Sequence, residues 1–429
     1  MAEPTGASAL NPGVARREVW AWAMYDFANS GYTTVVLTAV FNAFFVASIA
    51  GNAPWATFAW TAALSVSYAI VMVIGPLLGA WSDAHAAKKR LLAITTLVCI
   101  VGTVALAWAG PGMVPYAVVF IVISNVAYSM GENLCAAFLP ELATPQALGK
   151  VSGWGWSLGY FGGILALGIS LAWVMTANAR GSTTAEAVGG TMIITAAVYA
   201  LASLPTFLWL KERAQPQPDA THGVGDALAR LLETARHARQ YRDLLLVFAC
   251  GTLYQAGVAT VIALAAIYAE QVMGFKTQDT IMLVLVVNVT AAIGAFGFGY
   301  AQDRMGKVAA LRFTIVGWVA MTVVAYFSTT AAMFWVAANL AGLCMGSSQS
   351  AGRALVAYLS PAGRSAEFFG LWGVAIRLAA ILGPLTYGAV TWVTGGNHRL
   401  AILLTGAFFV ASLVVLAFVN ERRGRAQVS

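Results

Sequence analysis

Gly299-Tyr300-Ala301-Gln302-Asp303-Arg304-Met305-Gly306-Lys307 is the stretch on which the fold turns. A long apolar run reaches a Gly, an Asp follows four residues later, and basic residues come directly after. An earlier copy reads Gly79-Ala80-Trp81-Ser82-Asp83 and is followed by Lys88-Lys89-Arg90. Asp83 and Asp303 stand 220 residues apart, while Pro140 and Pro361, which each close an apolar run, stand 221 apart. Two landmarks at nearly one offset mark an internal duplication, as repeated architectures show. The earlier copy is degenerate, with Ala84 in place of the Arg and Ala86 in place of the Gly. Gly permits two helices to approach closely, and an Asp at a helix end can bind basic loop residues and clamp two helices together. Gly79, Asp83, Lys88, Lys89 and Arg90 are therefore read as one gating loop. Gly299, Asp303, Arg304, Gly306 and Lys307 are read as the other.

Outward from these motifs the chain is mostly apolar. Of its 429 residues 60% are hydrophobic and 10% charged, against roughly 25% charged in a soluble domain. So few charges cannot coat 45.0 kDa. That excludes an ordinary cytosolic enzyme, a disordered chain and a nucleic-acid binder, despite a net charge of +7. A membrane span needs about 20 mainly apolar residues. Twelve runs qualify: 19–48, 55–81, 91–110, 114–139, 151–175, 190–210, 244–270, 279–301, 308–328, 331–359, 366–393 and 399–419. Gly is frequent in them and alternation of period two is absent, so they are helices and not barrel strands. The expected fold is an all-α integral membrane protein with two six-helix halves, related by a pseudo-two-fold axis along the membrane normal.

Nineteen of the 24 Lys and Arg fall in the two tails or at the even-numbered connections, and only Arg180, Lys276 and Arg399 in the odd-numbered ones. Basic residues stay inside, which places both termini in the cytoplasm; the membrane is expected to be a cell inner membrane. The expected organisation is a tail (1–18), a six-helix half (19–210), a linker (211–243), a second half (244–419) and a tail (420–429). In the linker Leu228, Leu231, Leu232 and Ala235 repeat at helical spacing opposite Arg230, Arg236 and Arg239. The pattern reads as an amphipathic helix on anionic lipids of the inner leaflet, with a solvated linker helix as the alternative. The first apolar run is too long for a signal-peptide core of roughly 7–15 residues. Cys99, Cys135, Cys250 and Cys344 lack CxxC spacing and His neighbours, so they read as packing residues and not as metal ligands or a disulfide set. His85, His222, His237 and His398 lie in connections without a Ser/His/Asp or metal-ligand pattern. No GxxxxGK[ST] loop occurs, so ATP does not drive the protein directly. No enzyme activity, cofactor or metal is expected.

Ionisable groups inside spans are costly and mark function by default. Four lie well inside: Asp26, Glu132, Arg353 and Arg377. Asp26 heads a run at every fourth position through Ser30, Thr34, Thr38 and Asn42, bordered by Asn29 and Thr33. Steps of four keep such residues on one slowly rotating helical stripe, which should face water or a partner helix. Span 4 carries Asn125, Tyr128, Ser129, Glu132 and Asn133, and span 10 carries Ser347, Gln349, Ser350 and Arg353. Glu132 and Arg353 each precede their proline by eight residues, and Asp26 lies eight past Glu18. All three therefore share a depth of roughly 12 Å. Glu132 and Arg353 are the expected ion pair across the halves, leaving Asp26 as the proton site. Trp156 and Tyr160 in span 5 form a candidate aromatic wall, and Tyr254 and Gln255 in span 7 candidate lining groups. For Arg377 a substrate counter-ion and a structural partner for an acid both remain open.

Gly299–Lys307 matches the G-x-x-x-D-R-x-G-R/K loop signature of the major facilitator superfamily, and with twelve spans and a 6+6 repeat the whole chain resembles it. Tyr25-Asp26-Phe27-Ala28-Asn29-Ser30-Gly31-Tyr32-Thr33-Thr34 and Ser152-Gly153-Trp154-Gly155-Trp156-Ser157-Leu158-Gly159-Tyr160-Phe161-Gly162-Gly163 resemble the bacterial "unknown major facilitator" family. That family is related to the fungal vacuolar, autophagy-associated amino-acid effluxer. The resemblance implies a major facilitator fold with spans 1, 4, 7 and 10 around a central cavity. It also implies a monomeric secondary transporter that moves a small polar metabolite, such as an amino acid, by alternating access as symporter or antiporter. Protons are a candidate coupling partner. The alternatives are an exporter or flippase of amphipathic compounds and a non-transporting membrane receptor.

Overall fold

A computed structural model describes residues 9–51, 53, 55–216, 233, 238–275, 277–395 and 397–427. Among them all regular secondary structure is helical but for one isolated bridge, Leu10 to Ala143, and the helices are joined by turns and short irregular segments. Twelve helices are long and apolar enough to cross a membrane. In chain order they are α1 (Arg16–Ile49), α2 (Ala56–His85), α3 (Lys88–Leu106), α4 (Val114–Ala136), α5 (Leu148–Ala179) and α6 (Thr184–Trp209). The second six are α7 (Arg242–Gln271), α8 (Thr277–Met305), α9 (Lys307–Phe327), α10 (Ala331–Leu359), α11 (Ser365–Val393) and α12 (His398–Ala417). Each coincides with an expected span. Most extend past it at one end or both, because polar and basic residues such as Arg16 and Lys150 still carry helical backbone outside the apolar window. The linker positions Leu228, Arg230, Leu231, Leu232, Ala235 and Arg236 lie outside the described residues.

The bundle exposes its apolar groups. Leu208 is 70% and Val393 79% exposed, which water would penalise and hydrocarbon, as apolar as these side chains, tolerates. Inside, large aromatics fill the joints: Trp22, Tyr25, Tyr199 and Trp318 are buried, and Trp318 stacks on Phe409 at 5.2 Å. Small residues let the two sets of six helices meet. α2 crosses α11 and α5 crosses α8, both close to the end that carries the termini, called here the basic end. At the first crossing a Cβ on Gly79 would run into the carbonyl oxygen of Ala366. At the second, a Cβ on Gly153 would lie 2.5 Å from the Ala295 carbonyl oxygen.

α1 is not uniform. It is α-helical over Arg16–Gly31 and then runs in wider π-helical turns over Tyr32–Ala39 and again over Phe45–Ile49. Thr34 donates to the Ser30 carbonyl at 2.9 Å and Thr38 to the Thr33 carbonyl at 2.9 Å. Such bonds compete with the helical ladder, and π-turns inside helices are frequent at functional sites.

The two motif loops turn on one residue each. Gly306 begins α9 with a φ of 92°, whereas the corresponding Ala86 ends α2 at φ 50° and ψ 49°. A left-handed conformation costs a residue with a Cβ about 1–2 kcal/mol. Ala86→Gly is thus expected to stabilise the protein by about 1 kcal/mol, read as a higher midpoint of thermal unfolding in detergent. An unchanged or lower midpoint would mean that the loop has already relaxed around the methyl group.

Candidate functional site

Among the described residues, two ion pairs join the halves in the middle of the bundle. Asp26 of α1 accepts from a terminal nitrogen of Arg353 of α10 at 2.6 Å, with Arg353 6% and Asp26 9% exposed. Arg353 also donates from Nε to Ser152 Oγ at 3.0 Å and to the Ser152 carbonyl at 2.7 Å. Its guanidinium lies over the rings of Trp22 at 4.7 Å and Trp156 at 5.2 Å. Gly155 makes room: a Cβ there would stand 2.6 Å from the guanidinium nitrogen. The second pair, Arg377 of α11 with Glu132 of α4, measures 2.9 Å, and Arg377 lies over the Tyr68 ring at 5.2 Å. The Glu132 side chain stays 33% exposed, while Arg377 Nε is buried without a partner.

Depth alone pairs Glu132 with Arg353, and this expectation is corrected. Across the divide α10 packs on α5 and α4 packs on α11. Arg353 therefore meets Ser152 and Asp26, and Glu132 meets Arg377. Equal depth fixes the level of a side chain along a helix but not the direction in which it points.

The α1 stripe is present, though much of it bonds within the protein. Ser30 donates to the Asp26 carbonyl at 2.7 Å, and Thr33 donates to the Tyr128 hydroxyl at 2.9 Å. Tyr128 stacks on Tyr32 at 5.0 Å. Asn29 and Asn125 are buried, and Asn125 bonds Ser67. Asn133 lies against Gly373 of α11 with its amide nitrogen unpartnered. Trp156 and Tyr160 are adjacent at 6.1 Å, and Trp156 Nε1 is also unpartnered. Gln255 and Gln349 bond each other at 2.6 Å between α7 and α10, and the Tyr254 hydroxyl is buried beside Gly352. Ser350 gives its carbonyl to Ser152 at 2.9 Å and its hydroxyl accepts from Gln302 at 3.1 Å.

At the basic end the motif carboxylates act mainly on backbone. Asp303 accepts from the N–H of Gly149 at 3.0 Å and of Lys150 at 2.7 Å, while the Lys307 ammonium is 3.8 Å away. Asp83 accepts from the Glu367 N–H at 2.9 Å, with Lys88 at 3.6 Å. Each Asp thus caps the first turn of a helix in the other half, α5 or α11, where orphan N–H groups and the helix dipole favour a negative charge. Lys88 is buried, pairs with Glu141 and donates to Ser365 Oγ at 3.2 Å. Lys89 donates to the Leu210 carbonyl at 2.6 Å. Arg90 and Arg304 are exposed. A second set of caps, Glu212 on the N–H of Lys88 and Lys89 and Glu421 on that of Lys307 and Val308, was missed. Its signal was available: Lys211-Glu212-Arg213 follows span 6 as Asn420-Glu421-Arg422 follows span 12.

Asp303→Asn removes the charge and sets an NH2 group against one of the two N–H donors. It is expected to loosen the α5–α8 crossing by about 1–2 kcal/mol, seen as a longer distance between spin labels at the basic ends of those helices. An unaltered distance distribution would count against the clamp.

The same architecture occurs in known transporters. The chain is 29% identical over 405 residues to the uncharacterized MFS-type transporter YxiO of Bacillus subtilis, covering 93% of this chain and 94% of that one. It is 24% identical to autophagy-related protein 22 of Yarrowia lipolytica over 71% of this chain, and spans about half (56%) of that longer relative. Its fold matches the human organic anion transporter MFSD10 with a TM-score of 0.73 at 14% identity, over 94% of this chain and 99% of the other. These likenesses establish a major facilitator fold. The family model for vacuole effluxer Atg22-like proteins matches residues 55–429, and the chain belongs to that family.

Proposed function

We propose that this protein is a secondary transporter of a small polar metabolite, of the zwitterionic kind that includes amino acids, working by alternating access. The observation that carries the reading is the pair of inter-half ion pairs, two acids and two arginines, with Glu132 one-third exposed beside a buried Arg377. A zwitterion can trade for both partners of such a pair, its carboxylate on the guanidinium fork and its ammonium on the acid. Arg377, with an unused Nε, is the better placed arginine, since Arg353 is already enclosed by Ser152 and two indoles. So charged a lining speaks against an amphipathic exporter.

We read the basic end as cytoplasmic from the distribution of Lys and Arg, and the membrane as an inner membrane. The described inter-half hydrogen bonds and ion pairs lie between this end and the Glu132–Arg377 level, whereas Thr38, Ala39, Ala43 and Ala47 of α1 are exposed beyond it. On this reading the protein is closed to the cytoplasm and open outward. Protonation of Asp26 would release Arg353 and let the basic end part, which supports proton coupling. The test is a thermal-shift screen of purified protein against zwitterionic, anionic and amphipathic metabolites. A ligand at a hundred times its Kd adds about 2.7 kcal/mol, and Glu132→Gln should lower the response to the zwitterion that gives it. Responses confined to amphipathic compounds would overturn the assignment.

A further inference from the structure

We propose that the α5–α8 seam at the basic end is a binding site for the phosphate of an anionic phospholipid, held by Lys150 and Arg304. The two seams occupy equivalent places but differ in charge. The third residue of α11, Glu367, receives the Asp83 cap, and its carboxylate is neutralised by Arg364 at 2.8 Å. The third residue of α5, Lys150, receives the Asp303 cap, and among the described residues its ammonium has no carboxylate within salt-bridge distance. That ammonium lies instead over the rings of Trp154 at 5.3 Å and Tyr300 at 4.9 Å. Trp154 Nε1 donates to the Tyr300 hydroxyl at 3.2 Å, joining the two helices at an exposed position.

The surrounding order suits a lipid. α5 leaves the basic end and α8 returns to it, so Lys150 and Arg304 share a level, with Trp154 and Tyr300 one turn deeper on the same faces. Arg304 is exposed, as is Tyr300 at 37%, and Phe296, one further turn in, is exposed at 49% and packs on Tyr300 at 5.3 Å. Cations at the water interface, aromatic rings below them and apolar surface below those match a headgroup and its acyl chain. The site takes Lys150 and Trp154 from one half and Tyr300 and Arg304 from the other. It exists only while this seam is closed, so a bound lipid favours that state.

The test uses the full chain in detergent, with retained lipid counted by native mass spectrometry for phosphatidylglycerol and phosphatidylcholine, and with inorganic phosphate as competitor. Each cation near a lipid surface is worth about a factor of five. Lys150→Gln combined with Arg304→Gln should therefore weaken phosphatidylglycerol retention roughly twenty-five-fold and leave phosphatidylcholine retention as it was, which also certifies the fold. Lys150→Arg should preserve retention. In bilayers, phosphatidylglycerol should shorten the spin-label distance across the seam in the wild type and not in the double variant. Undiminished phosphatidylglycerol retention by the double variant would overturn the site. Equal loss of both lipids would overturn its preference for an anionic headgroup. Displacement by inorganic phosphate would make the ligand a free ion and not a lipid.

Discussion

Asp26→Asn is expected to abolish uphill, pH-driven transport while sparing downhill exchange. The substitution keeps the shape of the side chain but leaves the Arg353 guanidinium without a counter-charge in a buried place. Removing one partner of a buried ion pair costs about 3–5 kcal/mol, and here the cost falls on the state in which the basic end is closed. Ser152 and the two indoles keep part of the arginine's solvation, so the protein should still fold. Arg353→Gln should weaken the closed state more, because the shorter, neutral side chain leaves the buried Asp26 carboxylate without a cation and gives up the guanidinium bonds to Ser152. Proteoliposome assays with and without a pH gradient separate these cases. Wild-type uphill transport by both variants would make the pair a structural bond alone.

Gly79→Val is expected to arrest the protein with its basic end open. No side chain fits between Gly79 and the Ala366 carbonyl without moving α2 from α11, and packed helices respond to overfilling by shifting, at about 1–3 kcal/mol. The added bulk lies between the halves, so it penalises one state of the cycle. Gly162→Val is the contrasting case. Gly162 abuts the Phe27 carbonyl within the first six helices, a contact inside one half, so the variant should lose thermal stability without a change of state. Labelling of a cysteine placed at the α2–α11 seam reads the first effect, and the unfolding midpoint reads the second. Equal loss of stability in both variants, with no change in labelling, would show that the crossing at Gly79 does not move.

The twelve spans were legible because a membrane imposes one long apolar window on each, and the motif repeat revealed the shared depth of Asp26, Glu132 and Arg353. The choice of partner was not legible. Rotation about each helix axis decides whether Arg353 faces Asp26 or Glu132, and that rotation is set by contacts of α10 with α5 that no single span encodes. Ser152 escaped notice for a related reason: among the glycines and tryptophans of α5 it carries no charge, yet its hydroxyl and carbonyl both hold Arg353. The degenerate loop was visible as a departure, but only the backbone shows that Ala86, like its Gly306 counterpart, holds a positive φ, in the left-handed region at ψ 49° where Gly306 stands at ψ 148°.

The π-turns of α1 bear on how that helix carries movement. In an α-helix a step of four overshoots one revolution, so a stripe spaced by four drifts steadily around the axis. In the wider i→i+5 turn the same step falls short of a revolution, and the drift reverses. From Asp26 to Thr38 the stripe is thus steered back toward the direction in which it began. The price of that steering is a looser rod: the Ser30 and Thr33 carbonyls accept threonine hydroxyls, and Tyr32–Ala39 runs in the wider turn. The inner part of α1, locked to α10 through Asp26, can then tilt without dragging its outer part by the same angle, as a shaft fitted with a flexible coupling does.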